Sequence, residues 1–171
     1  LTSYSLASFI LNKLLGALLG PGTVTSTVKK FGEPFSGSLG AGIIESHYPT
    51  RDSVGIPHNT KIFVTFKEDM DPTTILTDYD NGVGLLNVKG VKIFRTNEGE
   101  GKALSAAKVK VGMDPANKKV FVFSIQKDVD PKGYLGDPDK EISYSVLLTP
   151  ALQTAKQQPA FVGEYSAGYQ W

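Results

Sequence analysis

Apolar and polar positions follow two different rhythms along this chain, and the change falls near residue 42. Over residues 5–19 the side chains Leu6, Phe9, Ile10, Leu14, Leu15, Ala17 and Leu18 recur at helical spacing, with Lys13 as the exception. Ser5, Ser8, Asn12 and Gly16 lie three or four apart and share one narrow polar face. Ser3 or Ser5 can cap the first turn, and Gly20-Pro21 stops the last. The predicted helix is therefore apolar around most of its circumference, which a solvated surface helix cannot sustain. At about 15 residues it is shorter than the roughly 20 needed to span a bilayer. Three modes of burial stay open: docking on another protein chain, seating in or beside a membrane, or folding back on its own domain. Residues 23–41 are rich in Gly, Ser, Thr and Pro and carry few large side chains, the composition of a flexible linker.

From residue 42 onward the period becomes two. Strands are predicted at 43–47, 61–66, 83–88, 91–95, 106–113, 118–125 and 142–149, with a last one opening at 168–171. The segment 106–113 alternates, placing Val109 and Val111 on one face and Lys108 and Lys110 on the other, so one face is buried and one wet. Lys89-Gly90 sits between two strand runs and reads as a hairpin turn. Met70-Asp71-Pro72-Thr73 reads as a capped helical turn, Asp71 bonding a backbone amide and Met70 filling the core beneath. About seven to nine short strands divided by turn signals describe an antiparallel β-sandwich over 42–171. The organisation is thus 1–22 apolar helix, 23–41 linker and 42–171 sandwich.

Composition narrows the possibilities. The chain of 171 residues has no cysteine, which excludes a disulfide scaffold, a thiolate metal site and a cysteine nucleophile. Eighteen basic residues against 17 acidic ones leave no electrostatic footprint for nucleic acid. The chain begins at Leu1 without a methionine and stops at Trp171 inside a predicted strand, so it reads as part of a longer polypeptide.

The block from Val54 to Pro72 has the form V-x-x-x-x-N-T-x-I-x-V-T-F followed by M-D-P, carried by Val54, Asn59, Thr60, Ile62, Val64, Thr65, Phe66, Met70, Asp71 and Pro72. Downstream, Tyr144-Ser145-Val146-Leu147-Leu148 and Tyr169-Gln170-Trp171 supply a late strand and an aromatic pair around one residue. These residues resemble the bacterial Ig-like domain repeated in S-layer and other cell-surface proteins, over about Gly42 to Trp171. The resemblance implies an Ig-like sandwich whose last strand is truncated at Trp171. It also implies a structural or adhesive role outside the cell, without catalysis.

Candidate chemistry is sparse. The acidic turns Glu68-Asp69-x-Asp71, Asp78-x-Asp80-Asn81, Asp128-x-Asp130 and Asp137-x-Asp139 offer oxygens of the kind calcium takes. Asp78, Asp80 and Asn81 come nearest to a calcium loop, yet lack the glutamate that the motif places at its end. The plainer role for such residues is turn formation through bonds to nearby amides. His47 and His58 are too few for a zinc site, and no nucleophile elbow or phosphate-binding loop is present. Tyr4, Tyr134, Tyr165 and Tyr169 are expected at the surface, available to a sugar or a partner, with Tyr144 and Trp171 in the core. Lys118-Lys119 is expected to guard a sheet edge.

The function expected from these residues is a non-enzymatic module of an exported, cell-surface assembly with no cofactor beyond a candidate calcium. Its partners would be other protein subunits, a homo-oligomer among them, docked through Leu6, Phe9, Ile10, Leu14, Leu15 and Leu18, or a membrane-proximal surface. A calcium- or carbohydrate-binding accessory domain of a larger secreted enzyme is the alternative.

Overall fold

The computed structural model describes residues 39–127 and 132–171. They belong to the second of two compact units, Ser38–Trp171. The predicted helix with its docking residues Leu6, Phe9, Ile10, Leu14, Leu15 and Leu18, nearly all of the linker, and Asp128 and Asp130 lie outside the described residues.

Two antiparallel sheets enclose one core. The first contains β1 (Ile44–Tyr48), β2 (Ile62–Phe66), β3 (Leu76–Asp80), β4 (Val83–Leu86), β6 (Val109–Asp114) and β7 (Asn117–Ile125), in the order β1-β2-β7-β6-β4-β3. The second contains β5 (Val91–Arg95), β8 (Tyr144–Leu148) and β9 (Tyr169–Gln170), in the order β5-β8-β9. The alternation in the sequence explains the inward faces. Ile62, Val64 and Phe66 of β2, Val109 and Val111 of β6, and Phe121 and Phe123 of β7 meet Val91 and Ile93 of β5 and Val146 and Leu148 of β8 in a single buried cluster. Lys108 and Lys110 are exposed, as the alternation requires.

The capped turn forms as predicted. Thr73 N donates to Asp71 Oδ1 at 3.0 Å, Pro72 opens the short 3-10 turn Pro72–Thr74, and Met70 is fully buried. That turn delivers the chain into β3, a strand the sequence hides because Asp78, Tyr79 and Asp80 read as polar loop. β3 is an edge strand, bonded on one side only, and its pairing slips between Thr77 and Asp80, where Asp78 takes a φ of +48°. Bulges and exposed acids on an edge oppose pairing with another chain.

Two expectations are corrected. Lys89-Gly90 does not close a hairpin: β4 belongs to the larger sheet and β5 to the smaller. Residues 87–90 instead form a corner crossing between sheets, with Asn87 Nδ2 donating to Thr73 O at 2.7 Å and Lys89 N donating to Asn87 Oδ1 at 3.0 Å. Lys118-Lys119 does not guard an edge, because β7 lies inside its sheet between β2 and β6.

Candidate functional site

Asp78, Asp80 and Asn81 are brought together by the β3–β4 hairpin. Asn81 and Gly82 both adopt positive φ, +48° and +80°, which is the backbone of a type I′ hairpin turn and the reason for an Asn-Gly pair at this point. All three polar side chains are exposed. Among the described residues, no three of His, Asp and Glu converge as metal ligands. Asp137 and Asp114 each spend a carboxylate oxygen on a backbone amide two residues on, at 2.9 Å in both cases.

A second arrangement crosses the outer face of the larger sheet. Tyr48 pairs with Phe63, Phe63 with Val122, Val122 with Gly112, Gly112 with Val83 and Val83 with Asp80, so one register row runs through all six strands. Its middle four positions, Phe63 to Val83, are apolar, where outward positions of a sandwich are ordinarily polar, and Tyr48 and the exposed Asp80 close its two ends. Phe63, Val122 and Tyr48 are half-buried, and Val83 is 41% exposed. Gly112 makes a hollow in the row, since a Cβ there would meet nothing within 4 Å.

The third arrangement joins the two sheets. His47 on β1 and Tyr169 on β9 belong to different sheets, and their side chains meet: His47 Nε2 lies 3.0 Å from Tyr169 Oη. His47 Nδ1 lies 2.8 Å from the Pro49 carbonyl oxygen. A carbonyl only accepts, so Nδ1 carries the ring proton and Nε2 receives the hydroxyl proton of Tyr169. Both bonds are satisfied by the neutral imidazole. Trp171 stacks on the same ring with centroids 4.2 Å apart. The Arg51 guanidinium donates to the Gln170 carbonyl and lies 5.4 Å from the centre of the Tyr169 ring, within cation–π range.

Burial lowers the His47 pKa below 6.5, and nearby Arg51 adds to the lowering; the bond to Pro49 opposes it. Burial likewise raises the Tyr169 hydroxyl, with Arg51 pulling the other way. A histidine whose folded-state pKa lies below its unfolded value makes the unfolded chain the better proton binder at mildly acidic pH. Its contribution to stability is therefore complete above about 6.5 and is lost as the pH falls from there through the folded-state value. Urea denaturation at a series of pH values should show a steeper acid loss for the natural chain than for His47→Gln.

Sequence reasoning placed Tyr169 at the surface; it is 4% exposed. Tyr165 and Tyr134 are half-buried, Tyr134 against His58 with ring centroids 4.2 Å apart, and Tyr4 lies outside the described residues. Trp171 and Tyr144 are half-buried and pack against the core, close to expectation. The cluster was missed because its members lie at opposite ends of the domain. The one available signal was the spacing of Tyr169 and Trp171, which puts both on the same side of a strand. Compared with models of protein families, with curated proteins and with solved structures, the chain matches none.

Proposed function

We propose that this chain is a non-enzymatic structural or adhesive module of an exported bacterial cell-surface assembly, built on an Ig-like sandwich. The observation that carries the reading is strand order. An Ig domain of the constant type arranges strands A-B-E-D in one sheet and C-F-G in the other. Taking β1, β2, β5, β6, β7, β8 and β9 as A to G reproduces both orders, with β3–β4 as a hairpin inserted between B and C and added to the edge at D. The Val54 to Pro72 block then covers the approach to strand B, the strand itself and the turn after it.

Assembly is supported by apolar surface with a reason to be covered. The predicted helix over 5–19 would gain on the order of 1.5–3 kcal/mol for each large side chain fully removed from water on docking to a neighbouring subunit. The outward row on the larger sheet offers a second surface, for which a second copy of the chain is the natural occupant. With a twofold axis running between β6 and β7, Val122 of one copy falls over the hollow at Gly112 of the other, and Phe63 falls over Val83.

Sedimentation of the full chain, of a chain lacking residues 1–20, and of Gly112→Arg separates these surfaces. Loss of assembly on deletion supports the helix; loss on filling the hollow supports the row. Unchanged assembly in both altered chains, or no assembly in the natural one, defeats the reading.

A further inference from the structure

We propose that His47 is a proton-operated clasp between the two sheets, holding β9 against β1 when neutral and releasing it when protonated. The switch lies in how the ring is used. Each nitrogen has a single task, Nδ1–H to Pro49 O and Nε2 as acceptor for Tyr169. Protonation converts Nε2 into a donor, so the Tyr169 hydroxyl can no longer give it a proton and the present bond is lost. The tyrosine can keep a bond only by turning its own hydrogen elsewhere and accepting from Nε2–H, so the cost of protonation falls on a buried charge beside Arg51.

The groups facing the ring decide which way the balance falls. From β9 come Tyr169, a neutral phenol, and just beyond it Trp171, whose ring stacks on the imidazole. From the β1–β2 connection come the Pro49 carbonyl and Arg51, the latter a like charge. From β2, the residue paired with His47 is the apolar Val64. Tyr165, in the 3-10 turn Gly163–Tyr165, reaches the cluster through the Tyr169 ring at 6.1 Å. None of these groups is a carboxylate. A stacked tryptophan favours a cation, but the removal of the ring from water and the guanidinium both act against the charge.

What the clasp holds is an edge element. β9 pairs with β8 at Leu147↔Gln170 and Leu148↔Tyr169, and Trp171 exchanges backbone bonds with Val146 at 3.0 and 3.2 Å. An edge strand bonded on one side only opens locally at less cost than the whole fold. Acid is therefore expected to free one edge of the sandwich while the core stays intact.

Trp171 is the only tryptophan, so its fluorescence reports the ring stacked on it. In the full chain, the emission should titrate with a midpoint below pH 6.5. Amide exchange at Tyr169–Trp171, corrected for intrinsic rates, should rise about tenfold across the same interval and stay far faster than at Val64 and Phe121, whose exchange follows only the acid loss of global stability. In His47→Gln both transitions should vanish. Tyr169→Phe, which keeps the ring but removes the donor to Nε2, should raise the midpoint and flatten the exchange response. A midpoint at or above 6.5, exchange at 169–171 that ignores pH, or core amides that open together with β9 would each overturn the clasp. So would a Tyr169→Phe midpoint that stays in place or falls.

Discussion

Gly90→Ala is expected to destabilise the domain by about 3 kcal/mol or more, at the upper end of what overpacking costs. The reason is proximity rather than a special backbone angle. A Cβ on Gly90 would overlap the carbonyl oxygen of Thr74 and sit 2.8 Å from Leu152 Cδ2. The glycine cannot simply move away. Its amide donates to Asn87 O at 3.0 Å, and its carbonyl accepts from Thr149 N at 2.9 Å. Thr149 also donates its hydroxyl to Lys89 O, so the corner is tied to the end of β8 by two bonds. A side chain here must push apart the turn after Met70, the sheet crossing and the segment leading into Leu152. Guanidinium denaturation of the variant measures the loss. Gly101→Ala is the control: the residue is exposed, its Cβ meets nothing, and a change within about 0.5 kcal/mol is expected for such a surface position. Equal costs at the two glycines would refute the account of the corner.

Phe121→Ala should cost about 4 kcal/mol, within the range for truncating a buried phenylalanine. Phe121 is fully buried and meets Phe66 edge-to-face, with centroids 5.9 Å apart and rings inclined at 78°. Its strand is bonded on both sides, Phe121 pairing with Val64 on β2 and Met113 on β6. Neither neighbour can fold into the space without breaking sheet bonds, so the cavity should persist. Phe63→Ala removes the same group from the outward face and should cost roughly 1 kcal/mol, since large losses are confined to positions where a cavity or an unpaired group is created. Thermal and chemical denaturation of the pair would show whether the two phenylalanines differ as described.

The parts of this fold that were legible in the sequence are those written within a few residues. Ile62 to Phe66 alternates over the strand that forms, Val91 to Arg95 matches β5 end to end, and the Asp71-Pro72 cap works inside a single turn. What was not legible depends on partners far along the chain. β3 is polar because it lies at an edge, and a strand bonded on one side with a bulge at Asp78 needs no apolar run. Lys89-Gly90 has the composition of a hairpin turn, yet the glycine serves close approach to Thr74, a residue that local pattern cannot place beside it. The His47 cluster is split between the first and last strands. Asp78, Asp80 and Asn81 were visible as a polar turn, and the positive φ at Asn81 and Gly82 gives that turn its structural reason.

The β6–β7 hairpin has a consequence for the order in which the domain folds. It is the longest strand pairing between neighbours in sequence, closed by a tight turn in which Ala116 N donates to Asp114 Oδ1 at 2.9 Å. The pairings β2–β7 and β5–β8 join segments far apart along the chain, and such non-local closures slow folding to the millisecond-to-second range. With the hairpin made, the loop separating β5 from β8 is effectively shortened, and β7 offers its free side to β2. The turn at Asp114 to Ala116 is thus expected to form early. Weakening it should slow refolding far more than it speeds unfolding, the signature of a contact already formed at the barrier.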